Sequence, residues 1–404
     1  MLFVYSLFLK LYYFCIYLFS FTNKKAELWL NGRKELKNRL NGHSLNDCIW
    51  FHTSSLGEFE QVSYLIETIK LKFPNEKILV TFFSPSGFEV KRNFKFADEV
   101  LYLPFDFKDS IESFIQTIKP KLVFWVRYEF WLNALEKLKR DEIPVILLNG
   151  VFRENTSLFY KSYLKKCLSC FSAITVINEV SQLNLKNLGF SSSIMYDTRF
   201  SRMRQVAQSP FEDYVIQHFV QSDKVVVCGS IWPNDYKILK SSIQSRSDIR
   251  WILVPHEVDA HSLHEVCIQF PSAQKYSQYI ESENVNILII DCIGLLARLY
   301  RYADIAYVGG GFNKVVHSLI EPLTYSLPTI IGPNIKKSEE AQDFLNIGFV
   351  HQIQTKDEFK EVLDTLLSSN TNEMRKSKEI YFNQRTDSIN KILELIKDFV
   401  TLGK

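Results

Sequence analysis

Two carboxylates in this sequence stand where acid–base chemistry could be done. Glu58 lies in Thr53-Ser54-Ser55-Leu56-Gly57-Glu58-Phe59-Glu60, a small-residue turn that leaves an apolar run and enters a helical pattern. A carboxylate in a first helical turn has its charged form favoured by the dipole, as a general base for a sugar hydroxyl requires. The same position also suits an ordinary first-turn acid with Ser55 as cap. Glu129 sits among aromatics in Arg127-Tyr128-Glu129-Phe130-Trp131, at the end of another apolar run. A carboxylate in such surroundings is either paired, here to Arg127, or functional, because desolvating it alone is costly.

Further polar groups follow other apolar runs: Ser84-Pro85-Ser86-Gly87, then Asn149 with Arg153, then Gly229-Ser230-Ile231-Trp232-Pro233 and Pro255-His256-Glu257. The glycine-rich stretch Val308-Gly309-Gly310-Gly311-Phe312 precedes Val316-His317-Ser318-Leu319-Ile320-Glu321-Pro322. Three glycines let backbone approach a ligand closely, a helix start near Val316 would offer N–H groups to a phosphate, and Glu321 would accept ribose hydroxyls. The alternative is a structural turn before an ordinary helix. Neither a Walker A loop nor a Gly-x-Gly-x-x-Gly fingerprint is present. No metal is expected: His256-Glu257 to His261 has the wrong spacing for His-Glu-x-x-His, His264 does not repair it, and no Asp-x-Asp stands at a strand end.

The elements that must hold these groups are legible as alternation. Short β-branched and aromatic runs at 48–52, 78–82, 100–103, 122–126, 145–148 and 173–177 alternate with amphipathic helices. A second series occupies 224–228, 251–254, 286–290, 305–308 and 329–331. This is the βαβ pattern of two doubly wound α/β units, in agreement with 404 residues. Parallel sheets bind ligands beyond the carboxyl ends of their strands, where all the groups above fall. A polar region with helices at 357–368 and about 372–399 closes the chain.

Net charge of +3 without a clustered basic face argues against nucleic acid as partner. Seven scattered cysteines predict no disulfide, and Cys167-x-x-Cys170 reads as buried thiols within a helix. Met1 to Phe21 is apolar and aromatic except for Lys10 and lacks a small-residue cleavage site. It is about long enough to cross a bilayer, either spanning it or lying in its interface. No polar face shows at helical spacing, which argues against a core helix. Lys24, Lys25, Arg33, Lys34, Lys37 and Arg39 follow, placing the remainder on the cytoplasmic side.

In order, these segments resemble the Kdo transferases, which move 3-deoxy-D-manno-octulosonic acid (Kdo) from CMP-Kdo to lipid A precursor. The resemblance runs from about residue 22 to the end. Ser54-Ser55-Leu56-Gly57-Glu58 matches the family's Ser-x-Gly-Glu motif, implying Glu58 as general base, and Tyr128-Glu129-Phe130-Trp131 its second acidic motif. Thr81 to Gly87 and Asp197-Thr198-Arg199-Phe200 match two further motifs. The departures are Tyr196 for Gly, Ser201 for Asp, Ile231 for Thr and Ser318 for Asn.

The resemblance implies an α/β GT-B fold: two Rossmann-like domains with parallel sheets facing a cleft, plus an N-terminal membrane-anchor helix. Its segments would be 1–22 (anchor), 23–205 (acceptor domain), 206–370 (donor domain) and 371–404 (a helix returning to the first domain), with a hinge at Ser209 to Phe211. It implies Glu58 and Glu129 as catalytic. Arg199, Gly229, Ser230, Pro255, His256, Gly309, Gly310, Gly311, His317, Ser318 and Glu321 would bind CMP, and Ser55, Gly57, Ser84, Ser86 and Arg153 would face the acceptor. No cofactor or metal is implied. The partners would be CMP-Kdo, lipid A precursor and membrane lipids at the cytoplasmic face of the inner membrane. A heptosyltransferase or epimerase of the same architecture, or an inactive nucleotide-binding scaffold, are the competing readings.

Overall fold

The computed structural model describes residues 2–36, 45–127, 129–153, 158–221, 223–281, 285–336, 338–369 and 372–397. Tyr128, Lys37 and Arg39 and the final residues of the expected last helix lie outside them. The chain divides into two units, Met1–Ser201 with Arg385–Lys404, and Arg202–Gln384.

In the first unit, β1 (Ile49–Thr53), β2 (Ile78–Phe82), β3 (Glu99–Tyr102), β4 (Leu122–Val126), β5 (Val145–Gly150), β6 (Ala173–Val176) and β7 (Ser193–Ile194) form a parallel sheet in the order β3-β2-β1-β4-β5-β6-β7. The central strands β1, β2, β4 and β5 are buried along their whole length because helices cover both faces. Cys48, Trp50, Val123 and Trp125 point into one core, and Ile49, Phe51, Leu122 and Phe124 into the other. The chain order reverses between β1 and β4, which opens a crevice beyond their carboxyl ends.

The second unit repeats the plan with β8 (Lys224–Ile231), β9 (Ile249–Pro255), β10 (Gln274–Lys275), β11 (Ile287–Ile289), β12 (Ile305–Val308), β13 (Thr329–Ile331) and β14 (Val350–Gln352). Their order is β10-β11-β9-β8-β12-β13-β14, again parallel, and the reversal falls between β8 and β12. Strands β7, β10 and β14 are edge strands of two or three residues, too short to show a period in sequence.

Four features of the structure bear on the sequence expectations. The N-terminal helix Leu2–Phe19 does have an inward side: Leu9 is buried, and Tyr5, Tyr12, Tyr13 and Ile16 pack on the first core. Tyrosines carry this face, and the Tyr5 hydroxyl donates to Asp106 at 2.7 Å. Among the described residues no single helix is long and apolar enough to cross a membrane. Val4–Phe19 with Lys24–Lys34 would suffice together but are bent by 118°. The stretch Ser209 to Phe211 is fastened within the second unit, since the Arg301 guanidinium donates to the carbonyls of Val206 and Ser209 and the Tyr302 hydroxyl to that of Phe211. The final helix is broken into Asn372–Arg385 and Ser388–Leu395. Lys378 of the former donates to the Leu327 carbonyl in the second unit, whereas Ile389, Ile392 and Leu393 of the latter join the first unit's core.

Candidate active site

At the first reversal point, the turn after β1 brings two carboxylates together through one serine. The Ser54 backbone N–H donates to Glu58 Oε2 at 2.5 Å, and the Ser54 hydroxyl donates to Glu129 Oε2. Glu58 occupies the first turn of helix Leu56–Lys72, which begins without a side-chain cap from Ser55. Burial pushes the Glu58 carboxyl up to about 7; the Ser54 N–H and Arg127 oppose this, and Glu129 adds to it. Glu129, which follows β4, is raised by burial too, against the Ser54 hydroxyl and the positive charge of Arg33. Glu58, part-protonated near neutrality beside a second carboxylate, can take up a proton there.

Arg127 is not the hydrogen-bonded partner that Glu129 was expected to have. Its Nε donates to Gln61 Oε1 at 3.0 Å, and Asn149 Nδ2 donates to the same oxygen at 3.4 Å. Arg127, just past β4, and Asn149, at the pairing irregularity within β5, are both in the left-handed region, at φ 68° and 57°. Ser84 caps helix Pro85–Lys91 and its hydroxyl lies 2.9 Å from that of Ser86. The Ser84 N–H donates to the Ser54 carbonyl at 2.8 Å, joining this turn to the one bearing Glu58. Arg153 is exposed after β5. Arg199 stays in the first unit, where its Nε pairs with Asp197 at 2.9 Å, apart in sequence from the other residues expected to bind a nucleotide.

At the second reversal point the glycines pack against the protein's own backbone. The Gly309 N–H donates to the Gly229 carbonyl at 2.9 Å, and the Gly310 N–H to Asp235 Oδ2 at 3.0 Å. A Cβ on Gly309 would lie 2.4 Å from the Ser230 carbonyl oxygen, and one on Gly311 2.7 Å from Gly332. The close approach is therefore of the protein's own backbone. Asp235 is the buried hub, accepting also from the Trp232 N–H at 2.9 Å and the Tyr307 hydroxyl at 2.7 Å. No helix starts near Val316; the Val316 and His317 N–H groups donate to the Asn334 and Gly309 carbonyls, and a short helix begins at Ile320 with Glu321 in its first turn. Gly229 and Ser230 belong to β8, whose ladder is bulged there, with Ser230 at φ 52°.

Above this turn the His256 and His317 rings stack 4.2 Å apart, and Trp232 stacks on His256 at 4.6 Å. The Trp232 indole N–H donates to His317 Nε2 at 2.8 Å. That bond fixes the tautomer, because an accepting Nε2 leaves the His317 proton on Nδ1. Burial, with His256 adding to it, lowers His317 to about 4, and burial lowers His256, so both rings are neutral at pH 7. The rings form an uncharged aromatic platform beside Pro255, the last residue of β9.

Sequence reasoning missed Ser54, Gln61, Trp232 and Asp235 as site residues. The signal for the last two was present: an acid three residues after a strand-end Trp-Pro is the position from which a side chain caps its own helix.

Residues 26–202 match the family model described as 3-deoxy-D-manno-octulosonic-acid transferase (kdotransferase). A 3-deoxy-D-manno-octulosonic acid transferase of Chlamydia pneumoniae is 27% identical over 88% of this chain and 86% of its own length. One of Aquifex aeolicus is 27% identical over 80% of this chain and 88% of its own. Among solved structures, a putative UDP-N-acetylglucosamine 2-epimerase of Listeria monocytogenes superposes with a TM-score of 0.59 at 13% identity, over 89% of this chain and 98% of the other. Acinetobacter baumannii MurG gives a TM-score of 0.53 at 10% identity, over 87% and 99%. These two identities speak for the fold, which is of the GT-B type.

Proposed function

We propose, from the premise that this chain belongs to the Kdo transferase family of glycosyltransferases, that it transfers Kdo from CMP-Kdo to a lipid A precursor such as lipid IVA. Glu58 is the general base in this reading: it takes the proton of a glucosamine hydroxyl, whose oxygen attacks the anomeric carbon of Kdo with inversion while CMP departs with the bonding electron pair. The observation that carries it is the carboxylate pair at the β1/β4 reversal point, with Glu58 raised by burial to about 7. A base is most effective when its affinity for protons matches the working pH. Glu129 acts through Ser54, keeping the turn that bears Glu58 in register.

The donor is assigned to the second reversal point, where the Ser318 hydroxyl, the His317 Nδ1–H and the uncharged ring platform suit a nucleotide monophosphate. One phosphate on the donor makes a bridging metal unnecessary. The acceptor is a lipid, and the outward face of helix Leu2–Phe19 exposes Leu7, Phe8, Leu11, Phe14 and Leu18, which we assign to the cytoplasmic leaflet of the inner membrane.

The test is product mass spectrometry with purified enzyme, CMP-Kdo and tetra-acylated lipid A precursor. Glu58→Gln and Glu58→Ala should abolish transfer and still bind CMP-Kdo. Full activity in either variant would remove Glu58 from this role. Consumption of a UDP-sugar or ADP-heptose in place of CMP-Kdo would overturn the donor assignment.

A further inference from the structure

Arg127 makes no ion pair with Glu129, and the transfer described above gives it no part. Its backbone leaves β4 at φ 68°, with the N–H still donating to the Leu148 carbonyl of β5 at 2.8 Å. A side chain in that left-handed region crowds its own backbone, and such a conformation persists only where the surroundings dictate it. Here they also dictate where the guanidinium goes. Nε donates to Gln61 Oε1 at 3.0 Å, and the buried Gln61 is itself held. Asn149 Nδ2 donates to the same oxygen at 3.4 Å, and the Thr198 hydroxyl donates to the Gln61 carbonyl.

The open end of the fork is left over. Among the described residues neither Nη1 nor Nη2 makes a hydrogen bond or an ion pair, and neither is sealed from solvent. The two nearby carboxylates are engaged elsewhere, Glu58 by the Ser54 N–H and Glu129 by the Ser54 hydroxyl. Yet the cation stands beside them. Gln61 follows Glu58 by three residues in helix Leu56–Lys72, on the same face about one turn along, and Glu129 follows Arg127 by two. All of these groups meet at the reversal between β1 and β4, where a parallel sheet takes its ligand. A guanidinium fixed at Nε offers Nη1 and Nη2 as a planar pair of donors, which matches two oxygens of a carboxylate or a phosphate. Holding an arginine still costs rotamer freedom, and no bond from its free ends within the first unit offsets that cost.

We propose that Arg127 is an oxyanion-binding residue: its pinned fork takes an anionic group of the substrate that reacts at Glu58. Two groups of the reaction have this chemistry, the carboxylate that Kdo carries next to its anomeric carbon and a phosphate of the lipid acceptor. The proposal rests on the reading of the chain as a Kdo transferase with Glu58 as base.

Arg127→Gly removes the guanidinium and puts at φ 68° the residue that adopts it without crowding, so the variant should fold with no loss of thermal stability. Its KM for the substrate bearing the bound anion should rise about ten-fold or more. Arg127→Lys, a charge without a fork, should fall between the two. Two pairs of substrates identify the anion: CMP-Kdo against its carboxamide, and the tetra-acylated acceptor against its dephosphorylated form. The parent enzyme should discriminate within one pair, and Arg127→Gly should lose that discrimination. Loss in the first pair assigns the sugar carboxylate, and loss in the second the lipid phosphate. Discrimination that is the same in parent and variant for both pairs overturns the proposal, as does an Arg127→Gly that loses stability while both KM values stay in place. A parent enzyme that makes no Kdo-bearing product defeats the functional reading as well, whereas a productive parent with an equally discriminating Arg127→Gly defeats only the role of Arg127.

Discussion

At Glu58, burial and hydrogen bonding pull in opposite directions, and burial wins. A carboxyl whose folded value of about 7 stands above its ordinary 4.5 is at its most favourable in the fold below that ordinary value. That contribution is lost as pH rises from there through 7. Glu58→Gln removes the ionisation but keeps an acceptor for the Ser54 N–H. The variant should therefore be more stable than the parent at pH 8, by about 1–2 kcal/mol once solvent around a half-buried side chain is allowed for, and nearly equal to it at pH 4.5. Thermal denaturation at the two pH values checks this, and a variant less stable at pH 8 would show that the carboxylate is better paired than its contacts indicate. The glutamate itself was legible in sequence as a first-turn acid after a strand. Its partner was not, because Arg127 is adjacent in sequence to the Glu129 motif whereas Ser54 reaches Glu129 only across the β1/β4 reversal.

The glycine-rich turn shows what an element's spacing leaves undecided. Gly-Gly-Gly after a strand predicts close backbone approach, and the approach occurs, but Gly229, Ser230 and Gly332 are what come near. Gly310 sits at φ 89° with Val315 oxygen 2.5 Å from a would-be Cβ, so Gly310→Ala should cost about 2 kcal/mol or more in chemical denaturation. Gly57 is the contrast: it lies within helix Leu56–Lys72 with no atom of the described residues within 4 Å of a Cβ, and Gly57→Ala should stabilise by about 0.5–1 kcal/mol. On the ring platform, Trp232→Phe keeps the stacking and removes the N–H that fixes the His317 tautomer. Loss of about 1 kcal/mol of hydrogen bonding should raise the KM for donor several-fold with little change in kcat. Histidine nitrogen NMR should then report mixed His317 tautomers; a single tautomer in that variant would mean another group holds the ring.

For the molecule as a whole, the N-terminal helix is where sequence and structure differ most. Composition alone made Met1 to Phe21 a detached anchor. The structure divides it lengthwise, one side in the first unit's core and the other outward. Tyr5 is the fastening: its hydroxyl donates to the buried Asp106 and accepts from the Leu132 N–H at 3.2 Å, while Asp106 also accepts from the Asn133 and Ala134 N–H groups at 2.8 and 2.9 Å. Deleting residues 1–22 should therefore destabilise the first unit, and Tyr5→Phe should cost about 1–2 kcal/mol by differential scanning calorimetry. A truncated chain as stable as the full one would make the segment a tether only.

The two α/β units, the placing of Glu58, Glu129 and the glycine turn beyond strand ends, and the family resemblance are all legible in the chain read residue by residue. All of these follow from local period and from short motifs. Which groups meet emerged with the fold: Ser54 with both carboxylates, Asp235 with the glycine turn, Arg127 with Gln61 and Tyr5 with Asp106. The reason is physical. Strand and helix periods are properties of neighbours along the chain, whereas these pairings join segments that come together only when the sheets order their strands and reverse direction.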